Sequence, residues 1–206
     1  MRPVTRSMEA TTPAAAARVA GVRRTMPSGW WGMALFISTE ATLFGTLIAS
    51  YFYLRLQTVD WPPRGIEAPS VAAPLILTAI LVSTTAPMAL AVRAARAGAR
   101  GTALLLMLGA AAVQAAYLGV QVHLYLSDLD KFSPQDTAYG SVYFTLLGLH
   151  HAHVLLGILL SLWMVVRLLG GLTNYRLIGV RVVVFYWYFV NALAVLVVAT
   201  QLSPSW

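Results

Sequence analysis

The sequence has no cysteine, and only 10% of its 206 residues are charged. The first absence excludes a disulfide framework, a thiolate metal site and a cysteine nucleophile. The second excludes a water-soluble domain, since such domains average roughly 25% charged residues. Disorder is excluded as well, because it requires low hydrophobicity and high charge, whereas 59% of this chain is hydrophobic and its mean hydropathy is +0.73. Acids are scarcer than bases, seven against 14, for a net charge of +7. The bases are spread over the whole chain and form no nucleic-acid surface. The composition is that of an integral membrane protein.

A bilayer core of ~30 Å requires about 20 apolar residues in helical form. Five stretches qualify: 30–54, 71–92, 102–126, 141–166 and 182–202. The expected fold is therefore all-α, a bundle of five transmembrane helices over residues 28–206, preceded by a cytoplasmic tail over 1–27. That tail lacks the apolar core of a signal peptide, since Pro3, Pro13, Arg18, Arg23 and Arg24 interrupt it. Orientation follows from the basic residues. Eleven of the 14 fall in the N-terminal segment and the second and fourth connections, and only Arg55, Arg64 and Lys131 lie on the opposite side. Short Lys/Arg-rich segments stay cytoplasmic, which places the N-terminus inside and the C-terminus outside. No internal repeat is visible, unlike the inverted-repeat transporters. Pro87 in the second span removes a backbone donor and predicts a kink. Residues 127–140 read as a solvated outer turn.

Glu40 is the sole acid inside any span. A carboxylate at mid-bilayer costs about 2.5–3.5 kcal/mol or more, so it faces protein or water. Its helical neighbours at three and four residues, Phe36, Ile37, Leu43 and Phe44, offer it nothing. It must find a partner on another helix or stay protonated. Glu40 lies ten residues from the inner end of its span and His153 twelve from the outer end of an oppositely directed one. At 1.5 Å per residue these depths are about 15 and 18 Å, so a Glu40–His153 hydrogen bond is allowed. Gln114 and Tyr117 compete at similar depth. The run His150-His151-Ala152-His153 invites a metal reading. However, His150 and His153 share one helix face while His151 points elsewhere, and no Glu-x-x-His pair exists on a second helix. No metal site is assigned.

Three segments carry a family resemblance. Gly32-Met33-Ala34-Leu35-Phe36-Ile37-Ser38-Thr39-Glu40 resembles the glutamate-bearing helix of subunit III of the haem–copper oxidases. Leu149-His150-His151-Ala152-His153-Val154-Leu155-Leu156-Gly157 is similar to that family's F-H-G-L-H-V-x-x-G segment, with His150 and His153 at the two histidine positions. Phe185-Tyr186-Trp187-Tyr188-Phe189-Val190-Asn191 resembles its closing Y-W-H-F-V-D motif. Tyr188 and Asn191 replace the usual histidine and aspartate, so that pair cannot form here. The chain resembles the five-helix bacterial form, which lacks the two N-terminal helices of the seven-helix form.

The resemblance implies a non-redox accessory subunit of a proton-pumping terminal oxidase, of cytochrome c or quinol type, in a bacterial cell membrane. It implies packing on oxidase subunit I, association with subunit II and other respiratory subunits, and support of sustained turnover. Haems and copper are expected in the partners, with no cofactor in this chain apart from bound phospholipid. Arg55, Trp61 and Arg64 at the outer interface, and Arg93 and Arg96 at the inner one, are candidate lipid-phosphate contacts. An accessory subunit of a nitric oxide reductase and a free-standing transporter coupled to protons through Glu40 and His153 remain open alternatives.

Overall fold

The computed structural model describes residues 28–66 and 70–203. The N-terminal tail, residues 67–69 (Glu67 among them) and the last three residues lie outside the described residues. Among those described there is no strand, and five helices are long and apolar enough to cross a membrane. They are α1 (Ser28–Gln57), α2 (Ala72–Arg96), α3 (Arg100–Leu129), α4 (Ala138–Leu169) and α5 (Asn174–Leu202).

Every predicted span is present, and most run past the apolar stretch. Hydropathy marks only the hydrocarbon-embedded part of a helix, whereas helices of 29–32 residues reach about 45 Å, the thickness of core plus headgroups. The largest difference is at α5, which begins eight residues before the predicted Val182. There Thr173 caps the helix, its hydroxyl accepting from the Arg176 N–H, so an amphipathic turn joins it. Thr137 caps α4 in the same way by accepting from the Gly140 N–H.

In α2, where Pro87 predicts a kink, the helix is broken at Thr84, three residues before the proline. The helix is interrupted there between Ala72–Ser83 and Thr85–Arg96. Pro87 has no N–H to reach the Ser83 carbonyl one turn back, and Thr84 tightens instead, its N–H donating to Leu81 O at 3.1 Å. Thr84 Oγ1 also donates to Leu81 O, at 2.7 Å.

Helices α4 and α5 form the centre. α5 packs on α1, α2 and α4, while α3 packs on α2 and α4. α1 is peripheral and buries only Phe44 and Tyr51 among the described residues. The small residues Ala41, Gly45 and Ala49 lie on its exposed side. The hydroxyls of Ser38, Thr42, Thr46 and Ser50 donate to carbonyls one turn back, which hides their polarity from an apolar environment. The bundle has two ends, an upper one with the α1–α2 and α3–α4 connections and a lower one with the α2–α3 and α4–α5 connections. At the lower end Gly98 and Gly171 adopt φ of +77° and +106°, the left-handed region that glycine enters without steric cost.

The 127–140 segment is the solvated turn expected for it in part, with Asp130, Lys131, Gln135 and Asp136 exposed, while its aromatics and Asp128 are held against the helices. α3 extends through Leu129, and Asp128 accepts from Lys131 Nζ and Tyr143 Oη, each at 2.9 Å. Phe132 packs among Tyr139, Tyr143 and Phe144. The acids alone suggested exposure, but the interleaved aromatics anchor this loop onto α4.

Candidate functional site

His153 Nε2 lies 3.0 Å from Glu40 Oε2, joining α4 to α1. The side chains are 9% and 20% exposed, respectively. His153 Nδ1 lies 2.8 Å from Leu149 O. A carbonyl only accepts, so this geometry assigns a proton to Nδ1. One further proton then serves the Nε2–Oε2 contact. Held on the carboxyl it gives a neutral pair, and held on the ring it gives an ion pair; both are hydrogen-bonded and carry no net charge. Phe44 lies edge-on to the imidazole with centroids 5.2 Å apart. Tyr186 Oη donates to His153 O at 2.8 Å, so α5 holds the backbone that presents the ring. Of the three partners that depth allows, His153 is the one the structure brings to Glu40.

The competing candidates have other partners. Gln114 Nε2 donates to Thr84 Oγ1 at 3.0 Å, bridging α3 to the break in α2. Tyr117 Oη receives the Gln121 amide at 3.1 Å and lies 3.4 Å from His150 Nε2. Both are buried on α3, which among the described residues does not contact α1. The three neighbouring histidines do not converge. His150 and His151 have ring centroids 6.2 Å apart, and both nitrogens of His153 are engaged. Among the described residues no group of three or more His, Asp, Glu or Cys is arranged to hold a metal ion.

The closing motif splits by helix face. Trp187 is fully buried and donates from Nε1 to Ser161 Oγ at 2.9 Å. Gly157 makes this possible, because a Cβ there would stand 2.7 Å from Trp187 Cζ2. Asn191 is buried and donates from Nδ2 to Thr85 Oγ1 at 2.7 Å. Tyr188 points outward and is 43% exposed.

The interfacial candidates separate. Trp61 packs edge-on to Tyr51 and Tyr139 as part of the upper aromatic cluster. Arg64 is exposed and paired with Asp60 at 2.7 Å. Arg55 is half-buried near the end of α1, and Arg93 and Arg96 are exposed near the end of α2. Sequence reasoning counted Arg167 and Arg176 for orientation only. The fold brings them together at a groove of about 420 Å³ between α1, α4 and α5 at the lower end, with Met33, Trp163 and Tyr175 among its walls. The Arg167 guanidinium lies 5.2 Å and 5.5 Å from the Trp163 and Tyr175 ring centroids. Arg176 donates to Gly171 O at 2.7 Å. The available signal was the position of Trp163 and Arg167 one turn apart near a helix end.

The family model for cytochrome c oxidase subunit III matches residues 11–201. The chain belongs to the cytochrome c oxidase subunit III family. Three relatives illustrate the range. Cytochrome c oxidase subunit 3 of Thermostichus vulcanus is 30% identical over 165 residues, covering 79% of this chain and 80% of the relative. The protein of the same name from Paracentrotus lividus is 29% identical over 173 residues, covering 77% of this chain but only 63% of the relative's length. Cytochrome bo(3) ubiquinol oxidase subunit 3 of Pseudomonas aeruginosa is 29% identical over 168 residues, covering 79% and 77%. In this subunit III chain the three motifs meet in space, the first and second at the Glu40–His153 pair and the second and third at the Gly157–Trp187 contact. Within that frame Asn191 turns to Thr85 at the α2 break, while Tyr188, 43% exposed, makes no side-chain hydrogen bond among the described residues.

Proposed function

We propose that this chain is the accessory, non-redox subunit III of a proton-pumping terminal oxidase in a bacterial cell membrane. The observation that carries this reading is the Glu40–His153 hydrogen bond. It supplies a mid-bilayer carboxyl with one partner and no net charge, which suits a structural clasp. We assign cytochrome c as electron donor in preference to quinol, in line with the description of the matching family. The chain packs on subunit I of the complex, with subunit II beyond it, and the haems and copper reside in those partners. The complex reduces oxygen to water, and this chain prolongs its active life without touching the chemistry. The N-terminal 27 residues form a cytoplasmic tail and the C-terminus faces outside, a reading that the basic asymmetry supports. The lower-end groove flanked by Arg167 and Arg176 suits a phospholipid. Its apolar wall takes acyl chain, and the guanidinium groups of Arg167 and Arg176 lie where the phosphate would be held.

Affinity purification of the tagged chain from its native membrane tests the reading. Copper and haem a in the complex, with cytochrome c as the better donor, support it. Non-haem iron with haem b points instead to a nitric oxide reductase, and a haem–copper complex that prefers quinol changes the donor. Isolation without any redox partner, with proton-coupled transport on reconstitution, overturns the accessory role.

A further inference from the structure

At the upper end a cavity of about 570 Å³ lies between the α1–α2 connection, the last turns of α3 and α5 and the first turns of α4. Its lining includes Asp128 and Lys131 beside the loop and Gln121 deeper along α3. Gln121 is eight residues before the end of α3, about 12 Å into the bundle. Gln201 also lines the cavity; it is 5% exposed, and its amide nitrogen has no hydrogen-bond partner among the described residues.

The chemistry of this lining narrows what it holds. An acyl chain would press hydrocarbon against two buried amides and leave the Gln201 donor unpaired, an unfavourable arrangement. An anionic headgroup finds no surplus positive charge, because Lys131 is bonded to Asp128 at 2.9 Å. Water both donates and accepts, and a roomy cavity whose apolar wall of Ile66, Leu124 and Leu147 is interrupted by these polar groups holds it at roughly 30 Å³ per molecule. The polar line continues below the cavity. Gln121 donates to Tyr117 Oη at 3.1 Å, and that oxygen lies 3.4 Å from Nε2 of His150, which is 1% exposed. His150 is twelve residues into α4, about 18 Å deep. Its Nδ1 has no partner among the described residues, nor has Nε2 of His151, whose ring lies edge-on to the cavity-lining Tyr125.

We propose that this cavity is a water-filled inlet, and that the line Gln121–Tyr117–His150 extends it to mid-membrane. His150 is then a proton-exchanging site open to the phase that faces the α3–α4 loop, separate from the Glu40–His153 clasp. The other titratable groups facing the path are Asp128, Lys131, Tyr139, Tyr143, Tyr125 and His151. Which phase this is rests on the orientation proposed above; the existence of the inlet does not.

The chain has no native cysteine, so single cysteines report on water access once the labelled chain is separated from its partner subunits. Vesicles containing the whole complex carry Ser133→Cys as a marker of the loop side, Gln201→Cys and Gln121→Cys in the cavity, and Ala110→Cys as a buried control. A small membrane-impermeant thiosulfonate is expected to modify Gln201→Cys and Gln121→Cys from the same side as Ser133→Cys, at least tenfold faster than Ala110→Cys. If all three respond from the inner side, the orientation is wrong and the inlet stands. Rates equal to the buried control overturn the inlet.

For His150, a jump from H₂O to D₂O is followed by infrared spectroscopy, with the His150→Asn spectrum subtracted. Each entering deuteron replaces one departing proton. Exchange within seconds is expected in the native complex and at least tenfold slower in Gln121→Leu. Tyr117→Phe, which keeps the ring and removes the hydroxyl link, provides the same comparison if the leucine variant fails to assemble. Unchanged exchange in the variant that assembles, or none in the native complex, overturns the assignment of His150.

Discussion

Removing one partner of the Glu40–His153 pair tests whether it acts as a clasp between α1 and α4. In Glu40→Leu, His153 Nε2 loses its 3.0 Å contact while Nδ1 stays on Leu149 O. The orphaned nitrogen is only 9% exposed at the side chain, so the typical cost of a buried unsatisfied group applies, about 1–3 kcal/mol. His153→Leu leaves the carboxyl instead, 20% exposed. It then either protonates or bears the roughly 2.5–3.5 kcal/mol of a mid-bilayer charge. Glu40→Leu with His153→Leu removes both polar groups, which is close to neutral by comparison. The double variant is therefore expected to be less destabilised than the sum of the singles, by a coupling of about 1–3 kcal/mol. At 1.4 kcal/mol per decade this is roughly a 5- to 150-fold change in an equilibrium constant. Glu40→Gln retains a donor for the acceptor Nε2 and is expected to stay near native. The assay is retention of the chain on the haem-containing complex through graded detergent or heat, beside initial oxygen consumption and protons released per electron, both per haem. Additive single effects would refute the pair as a unit of stability. A Glu40→Gln complex that assembles fully but loses proton release would show that the carboxyl carries protons and that the clasp reading fails.

The remaining predictions concern packing and topology. Gly157→Ala places a methyl 2.7 Å from Trp187 Cζ2 and is expected to cost about 1–3 kcal/mol by overpacking, seen as a lower unfolding temperature. Trp187→Phe fills most of the same space but leaves Ser161 Oγ without its 2.9 Å donor. A loss of about 1–3 kcal/mol is expected, and Trp187→Phe with Ser161→Ala is expected to recover part of it. For orientation, an impermeant thiol reagent is expected to reach Ser133→Cys from outside and Ala97→Cys only after permeabilisation; reversed labelling refutes the assignment. Ala97 is preferred to its neighbour Gly98, whose φ of +77° would strain any side chain.

By itself, the sequence was enough to establish the helices and their number. A backbone in hydrocarbon must satisfy its own hydrogen bonds, so an apolar stretch of sufficient length has one structure open to it. It also revealed Glu40, because a charge in such a stretch stands out whatever the tertiary arrangement, and helical rise gave the depth at which a partner had to lie. Depth constrains one coordinate only. Gln114, Tyr117 and His153 all met that condition, and only the packing of α1 against α4 rather than α3 selected His153. The same limit applies to the Arg167–Arg176 groove and to the cavity beside Gln121 and Gln201. Each joins residues from helices distant in sequence, and membrane helices associate through shape and small-residue contacts that hydropathy does not encode. The break in α2 shows the division within one element. Pro87 dictated that the Ser83 carbonyl be freed, but the break at Thr84, whose hydroxyl accepts from Gln114 while the adjacent Thr85 accepts from Asn191, depended on the groups that α3 and α5 brought alongside.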